Sequence, residues 1–274
     1  MNTSRRTVLG LLATAAVAGP LATLPATPAA AADIYTSNTD LYSDPNLTEG
    51  VDYARRYRRH PLLDNSDATA FPFPRTAIIA PHGGGIEGGT SELCLAIAGY
   101  HPADLAATPP AGPTYDYWMF EGIRSSGNAE LHVTASHCDD VPALSVAAGA
   151  MNVVTLHGCT PGTAGLPSGA QAVAVGGRNA ALRAGLISAY TAAGISAFDA
   201  TGIPAIAGTA TDNIVNRTLL GMGAQLELTT PLRAAMFGTN TRSQRKNTTN
   251  TLFWDFVAAT RTAITQIEAT QPIL

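Results

Sequence analysis

Charged side chains are scarce in this 274-residue chain. Asp, Glu, Lys and Arg together make up 13% of it, and the formal net charge is −4. A domain that binds nucleic acid usually concentrates positive charge on one face. The weakly acidic balance therefore argues against nucleic acid as a partner.

Cysteine is rare as well, with three residues at Cys94, Cys138 and Cys159. None of them lies in a C-x-x-C pair or in another spacing typical of metal ligands. An exported protein can form disulfides, and a Cys138–Cys159 bridge is one option, although an odd count leaves at least one thiol without a partner in the chain. We interpret all three cysteines as structural residues.

Long apolar runs are missing after the N-terminal region. The first 32 residues contain the pair Arg5 and Arg6, an apolar stretch over 8–18, and small residues that end in Ala30-x-Ala32. This order predicts a secretory signal peptide, and the arginine pair favours Tat export. Its apolar core is shorter than the roughly 20 residues that a membrane helix needs. We therefore expect residues 1–32 to be a leader cleaved after Ala32, and the mature protein to be secreted without a membrane anchor.

The remaining chain is long enough for one hydrophobic core, which predicts a single domain and, as an expectation, a monomer. Residues 33–74 are polar, and we predict an irregular N-terminal segment there. The segment includes YARRYRRHP, which is either a solvated surface or a surface that attracts an anionic substrate. The composition changes at Arg75, and we assign residues 75–274 to one catalytic domain.

Short apolar strands alternate with amphipathic helices from residue 75 onward. The predicted strands lie in RTAIIAPH, TYDYWMFEGI, AELHVTAS, NVVTL, AQAVAVGG and GAQLELT. The predicted helices lie in GGTSELCLAIAGY, NAALRAGLISAYTAAG and NTLFWDFVAATRTAITQIEAT. This alternation predicts an α/β fold with a mixed, mostly parallel central sheet flanked by helices, a three-layer sandwich.

Polar side chains with useful chemistry follow three of these strands. His82 ends the first strand, Glu87 lies in the loop behind it, His157 ends a second strand, and Glu227 lies near the end of a third. Sites in open α/β sheets form beyond the carboxyl ends of the strands. Two imidazoles and a carboxylate are a ligand set for catalytic zinc, which keeps one position for water. The glycines between His82 and Glu87 would let the loop turn back sharply, so that both side chains reach one ion.

The glycine-rich loop HGGGIEGG has other interpretations. Such loops also cradle phosphate, but this one lacks the GK[ST] ending of a P-loop and the G-x-G-x-x-G of a dinucleotide site. HGGG occurs in the oxyanion loops of lipases, yet the G-x-S-x-G elbow that accompanies it is absent. A single histidine after a strand is also a common polar residue with no ligand role. Metal binding is the hypothesis that uses all the residues at the three strand ends.

Four ordered blocks of the sequence resemble the poly-γ-glutamate hydrolase family, some members of which have been called phage-related replication proteins. The blocks are PHGGGIEGGTSE, FEGIRSSGNAELHVTASHCDDVPAL, VTLHGC and NIVNRTLLGMGAQLELTTPLR. The resemblance implies a zinc-dependent amidohydrolase with a zinc-carboxypeptidase-like fold. It also implies that His82, Glu87 and His157 hold the zinc and that Glu227 activates water. The His-x4-Glu spacing differs from the His-x2-Glu of carboxypeptidases, so the analogy with those enzymes is the weaker one.

The resemblance further implies an anionic polypeptide substrate, because each γ-glutamyl unit carries a free α-carboxylate. Asn216 and Arg217 then correspond to a carboxylate-binding pair, since arginine suits bidentate carboxylate recognition. Arg124, Arg217 and His132 are candidates for stabilising the oxyanion of a tetrahedral state. For His132, a catalytic contact, an indirect role behind a ligand and an ordinary buried hydrogen bond all remain open.

The leading functional prediction is thus a secreted zinc hydrolase of γ-glutamyl amide bonds in poly-γ-glutamate. One alternative is a zinc amidase or carboxypeptidase acting on cell-wall peptides, which also contain γ-glutamyl links. Another is a non-catalytic binder of anionic polymer that has kept the fold.

Overall fold

The structure, a computed structural model, describes residues 33–60, 75–108 and 113–271. The predicted leader, residues 1–32, lies outside the described residues. Among the helices that are described, none is both long enough and apolar enough to cross a membrane.

Six α-helices and seven strands make up the described chain. The helices are α1 (Asn38–Tyr42), α2 (Thr90–Ala98), α3 (Val141–Ala148), α4 (Ala180–Ala192), α5 (Thr230–Ala235) and α6 (Thr251–Thr270). The strands are β1 (Tyr53–Arg58), β2 (Thr76–Gly84), β3 (Asp116–Gly122), β4 (Asn152–Cys159), β5 (Val173–Gly176), β6 (Ala197–Asp199) and β7 (Ala224–Thr229).

The seven strands form one mixed sheet in the order β1-β3-β2-β4-β7-β5-β6. The four central strands β3, β2, β4 and β7 are parallel to one another. At the edges, β1 runs antiparallel to β3, and β5 runs antiparallel to β7. The predicted α/β class with a mixed, mostly parallel sheet is confirmed.

Helices cover both faces of the sheet. One core contains Ile78, Leu156 and Leu226 of the sheet together with apolar residues of α2, α4 and α6. The opposite core contains Ile79 and Val153 together with apolar residues of α3. Because neighbouring residues of a strand point to opposite faces, His157 of β4 shares the α3 face with Val153. Glu227 of β7 also lies on the α3 face, because its neighbour Leu226 points to the other face of the sheet.

The N-terminal segment, predicted to be irregular over residues 33–74, contains regular structure in the part that is described. Its described part, residues 33–60, contains α1 and the edge strand β1. Two arginines of β1 are fixed by acidic partners: Arg55 by Glu49 and Asp140, and Arg56 by Glu121. Residues 33–60 therefore belong to the same compact unit as the rest of the described chain.

The strand predicted for AELHVTAS is wrong. Two short 3-10 helices, Asn128–Leu131 and Ala135–His137, take its place. The alternation that suggested a strand has another cause: Leu131, Val133 and Ala135 each insert into the α3-side core from an irregular backbone.

All three cysteines are buried and free, so the Cys138–Cys159 bridge is not formed. Burial also raises the pKa of each thiol, to about 12 for Cys138 and Cys159. We therefore expect a thiol reagent at pH 8 to label none of them in the native protein and all three after unfolding. Loss of one or more of the three thiols after unfolding in the absence of reductant would contradict this prediction.

Candidate metal centre

The predicted site residues meet where the central strands end. β4 and β7 pair in parallel, with His157 directly opposite Glu227. β2 pairs with β4 up to the Ile79–Thr155 position, and its pairing with β3 then shifts between Ala80 and Gly83. His82 lies inside this irregular stretch, so that its side chain turns to the same face as His157.

The loop between His82 and Glu87 needs glycine for two reasons. Gly84 has a φ of +65°, a conformation that residues with a Cβ rarely adopt. A Cβ at Gly83 would overlap the Ser91 hydroxyl, so at that position the requirement is space. The buried Arg245 also holds the loop: it donates to Gly84 O (2.6 Å) and pairs with Glu92. The loop is thus fixed on its far side and presents Glu87 toward the histidines.

His82 is oriented by the backbone. Its Nε2 lies 2.8 Å from the Val133 carbonyl oxygen, which can only accept, so Nε2 carries the proton. Its Nδ1 therefore faces Glu87 Oε1 at 3.1 Å and His157 Nδ1 at 3.2 Å. A carbonyl that fixes the tautomer of a histidine from behind is the usual arrangement at metal ligands.

Glu87 closes the cluster. Its Oε2 accepts a hydrogen bond from Gly158 N (2.8 Å) and lies 4.0 Å from His157 Nδ1. The opposite nitrogen of His157, Nε2, is buried and has no hydrogen-bond partner among the described residues. The orientation of His157 thus depends on the contacts at its Nδ1 side.

The protonation states of the cluster suit a cation. Burial alone would raise the pKa of Glu87, but the neighbouring His82 outweighs it and lowers that pKa to about 2. Burial, together with His82, lowers the pKa of His157 to about 3, which leaves it neutral. An ionised carboxylate and a neutral imidazole are the forms that bind a divalent ion.

The donor spacing also fits one ion. Zinc binds histidine nitrogen and carboxylate oxygen at about 2.0–2.2 Å, which in tetrahedral geometry places the donors about 3.4 Å apart. The separations of 3.1 and 3.2 Å around His82 Nδ1 are close to this value, whereas His157 Nδ1 and Glu87 Oε2 lie farther apart, at 4.0 Å. His82, Glu87 and His157 therefore have the donor chemistry and the spacing of a metal site.

Glu227 is buried beside this cluster, with 6% of its surface exposed. Its Oε1 accepts a hydrogen bond from Gln225 Nε2 at 2.9 Å. Burial and then the negative charge of Glu87 raise the pKa of Glu227 well above its ordinary value. A carboxyl group that readily holds a proton next to a metal site has the property expected of a general acid and base.

His132 lies at the site, although not on a strand. Its ring centroid is 3.9 Å from that of His82, and its Nε2 is 3.9 Å from Glu87 Oε1. Donor atoms of His82, Glu87 and His132 all lie within 4.8 Å of one another, which makes His132 a further metal-facing group. The partner of its other nitrogen is Asp33, which the sequence did not single out.

The other predicted substrate contacts are not part of the cluster. Asn216 uses its whole amide on the backbone: it accepts from Arg178 N and Gly223 N and donates to the carbonyls of Gly208 and Ala210. It has no hydrogen-bonding capacity left for a substrate, which corrects the prediction.

The two remaining arginines differ from each other. Arg124 is paired with Asp52 (3.1 Å) and Glu130 (3.0 Å), so much of its charge is already compensated. Arg217 is exposed, and its guanidinium has no hydrogen bond or ion pair among the described residues. Of the predicted pair Asn216 and Arg217, only the arginine is free to contact a ligand.

Arg233 holds two parts of the site together. It is buried, and its guanidinium donates to Leu228 O and Gly88 O, which ties the end of β7 to the loop after Glu87. The same group lies directly over Gly158, where a Cβ would overlap its central carbon. Only glycine at position 158 leaves room for this clamp.

We therefore expect Gly158→Ala to destabilise the protein. An inserted methyl group in a packed region costs about 1–3 kcal/mol, and here it also displaces the backbone N–H that binds Glu87. Thermal unfolding and metal content of the purified protein measure the two effects. Gly162→Ala is the matched control, because only the Thr160 hydroxyl lies near its added methyl group. Equal stability of both variants would contradict the prediction.

The mixed sheet and the polar cluster at the ends of its parallel strands define the class, proteins of zinc-carboxypeptidase-like α/β fold. Within that class, residues 69–259 match the family model described as poly-gamma-glutamate hydrolase. The chain belongs to this family. Membership in a hydrolase family supports an enzymatic function.

Solved structures and curated relatives agree with this assignment. A bacteriophage poly-gamma-glutamate hydrolase superposes with a TM-score of 0.71 and 28% identity, over 87% of this chain and all of that one. A zinc-free apo structure of YndL gives 0.70 and 26%, over 86% of this chain and 98% of that one. The latter description points to zinc binding in YndL.

Two Bacillus subtilis (strain 168) proteins are similar in sequence. The SPbeta prophage-derived UPF0714 protein YoqZ is 35% identical over 67% of this chain, and the UPF0714 protein YndL is 31% identical over 65%. The matched regions span 60% and 63% of the lengths of these relatives.

Proposed function

We propose that this protein is a secreted, zinc-dependent hydrolase that cleaves the γ-glutamyl amide bonds of poly-γ-glutamate. The proposal depends above all on one observation, the close approach of donor atoms from His82, Glu87 and His157. His82 Nδ1 lies 3.1 Å from Glu87 Oε1 and 3.2 Å from His157 Nδ1, and His157 Nδ1 lies 4.0 Å from Glu87 Oε2. Membership in the poly-gamma-glutamate hydrolase family supports the substrate class.

The metal-binding residues and Glu227 would divide the chemistry between them. His82, Glu87 and His157 would hold the zinc ion. Zinc, when bound, polarises the amide carbonyl and supplies a water whose pKa is lowered to about 7. Glu227 would take a proton from the attacking water and deliver it to the leaving amine, while Gln225 keeps its Oε1 in place.

A cavity beside the metal loop would receive the anionic chain. It has a volume of about 610 Å³ and adjoins Gly85, between His82 and Glu87. Its lining includes Arg124, Arg242 and Arg245 as well as Ser125 and Ser126. Two of these arginines already have acidic partners, Arg124 with Asp52 and Arg245 with Glu92, whereas Arg242 is exposed and has none among the described residues. Arg242 is therefore the cation of the cavity best placed to bind a substrate carboxylate.

We expect Arg242→Ala to raise KM for poly-γ-glutamate with little change in kcat. An exposed ion pair is worth up to about 1 kcal/mol, which corresponds to about a fivefold change. The effect should diminish as salt is added, because exposed charges are screened. Arg178→Ala, which removes an exposed arginine outside the cavity, is the control; an equal KM change in both variants would contradict the role of Arg242.

Export is a separate part of the proposal. The twin arginines and the Ala-x-Ala site support a Tat leader that ends at Ala32. The N-terminal sequence of the protein recovered from the culture medium of the producing cell tests it, with Asp33 as the expected first residue.

The proposed activity is tested by incubating the zinc-loaded protein with poly-γ-glutamate and, in parallel, with cell-wall peptides. Shortening of the polymer that a chelator abolishes and zinc restores is the expected result. Cleavage of the wall peptides alone would move the assignment to a cell-wall amidase. Binding of the polymer without cleavage would leave only the non-catalytic function.

A further inference from the structure

Asp33 and His132 form a tightly bound pair at the edge of the metal cluster. Asp33 Oδ1 lies 2.6 Å from His132 Nδ1, and Asp33 Oδ2 accepts a hydrogen bond from Thr134 N at 2.5 Å. The carboxylate thus grips the loop on both sides of Val133, the residue whose carbonyl orients His82.

This contact determines what His132 presents to the site. A carboxylate can only accept, so the Nδ1 of His132 must carry the proton that it shares with Asp33. The opposite nitrogen, Nε2, then points toward the cluster, 3.9 Å from Glu87 Oε1. A carboxylate behind a histidine fixes both the tautomer and the orientation of the ring.

Asp33 is not needed to attach the N-terminal segment. The segment has other anchors: Thr39 N donates to Asp139 Oδ1 at 2.8 Å, and the Tyr42 hydroxyl donates to Asp140 Oδ2 at 3.0 Å. α1 is also capped by Ser37. The carboxylate of Asp33 is therefore the one group of this segment, among the described residues, that is bonded to a metal-facing histidine.

We propose that Asp33 is a positioning residue for hydrolysis, acting through His132. This inference rests on the proposed function, in which His132 touches the reacting groups through its Nε2. Without Asp33, the imidazole can rotate or move its proton to Nε2, and the group that faces the substrate changes from acceptor to donor. The predicted cleavage after Ala32 would leave Asp33 as the first residue of the exported chain, so the mature protein would still contain this residue.

The experiment is a double-mutant cycle in the full-length protein. The variants are Asp33→Ala, His132→Gln and the double variant, assayed for kcat, KM and zinc content. We expect Asp33→Ala to lower kcat about 10- to 100-fold, the range for groups that orient active-site ligands, with zinc content unchanged. In the His132→Gln background the same substitution should change kcat less than about twofold, because coupled residues do not add. An equal loss in both backgrounds, no loss at all, or loss of the zinc would overturn the proposal.

Two controls separate positioning from folding. Asp44→Ala removes the acceptor of the Tyr35 hydroxyl within the same segment and should leave kcat unchanged. Asp33→Asn keeps an oxygen acceptor at Oδ1 and should retain more activity than Asp33→Ala. This variant keeps the proposal testable if Asp33→Ala folds poorly. Equal activity of Asp33→Asn and Asp33→Ala would count against the hydrogen bond to His132.

One measurement does not depend on hydrolysis. Nitrogen NMR of the zinc-loaded protein should show His132 with its proton on Nδ1, and the proton should leave that position in Asp33→Ala. An unchanged tautomer would overturn the inference, even if poly-γ-glutamate is not the substrate. If the wild type cleaves none of the polymers and Asp33→Ala still shows the expected tautomer change, the proposed function is rejected. The role of Asp33 in orienting His132 is then retained.

Discussion

Glu227→Gln should abolish nearly all hydrolysis while the metal stays bound. Glutamine keeps the size of the side chain and its hydrogen bond with Gln225, but it cannot accept and return a proton. General acid and base groups contribute about 100- to 10,000-fold to the rate, so kcat should fall by at least about 100-fold. KM should change little, since Glu227 is not the cation that would bind the polymer.

The control for this variant is Glu268→Gln. Glu268 is another partly buried carboxyl whose pKa burial raises, and it bonds to Thr76 at the opposite end of β2. Its substitution should leave kcat within about twofold of the wild type. If Glu227→Gln retained a tenth or more of the wild-type rate, the proton-transfer role of Glu227 would have to be abandoned.

His82→Ala and His157→Ala should each remove both the metal and the activity. Each substitution deletes one of the three proposed ligands from a buried cluster, which leaves Glu87 with unbalanced negative charge. Loss of an outer-shell partner already costs 10- to 100-fold in metal affinity, so loss of a direct ligand should cost more than about 100-fold. Elemental analysis after gel filtration measures bound zinc, and activity at added zinc shows whether excess metal restores function.

His101→Ala is the matched histidine control. His101 is stacked on Trp254, at the opposite side of the sheet from the α3 core, and lies outside the cluster. The variant should keep full zinc content and activity. Retention of stoichiometric zinc in His82→Ala would show that other groups hold the ion, with His132 as the first candidate from the donor spacing.

The strand ends and their side chains could be predicted from sequence because the signals are local. His82, His157 and Glu227 each lie at the end of an apolar run, and parallel strands bring such ends to one edge of the sheet. The sheet order then decides which of them are neighbours. Here β4 lies between β2 and β7, so His157 is placed between His82 and Glu227.

The contacts of His132 could not be predicted in the same way. The alternation of Leu131, Val133 and Ala135 suggested a strand, but it comes from three separate insertions into the core by a loop with 3-10 turns. Its partner Asp33 is 99 residues away along the chain. A contact of that separation leaves no pattern in the local sequence.

The roles of individual arginines and amides were equally hard to predict. Asn216 and Arg124 have the chemistry of substrate contacts. In the folded protein, however, Asn216 is hydrogen-bonded to the backbone, and Arg124 is paired with two acidic side chains. The buried clamp of Arg233 over Gly158 shapes the site, but the sequence alone does not distinguish Arg233 from a surface arginine. Which polar group is free depends on tertiary contacts and not on residue type.

The position of Asp33 has a practical consequence for making the protein. A polyhistidine tag joined directly before Asp33, in place of residues 1–32, would begin next to His132 in space, because Asp33 is bonded to that histidine. A short flexible tether holds its imidazoles at millimolar effective concentration. Such a tag would compete for zinc and cover the cleft, so recombinant samples with that design should give too little activity until the tag is removed at Asp33 itself.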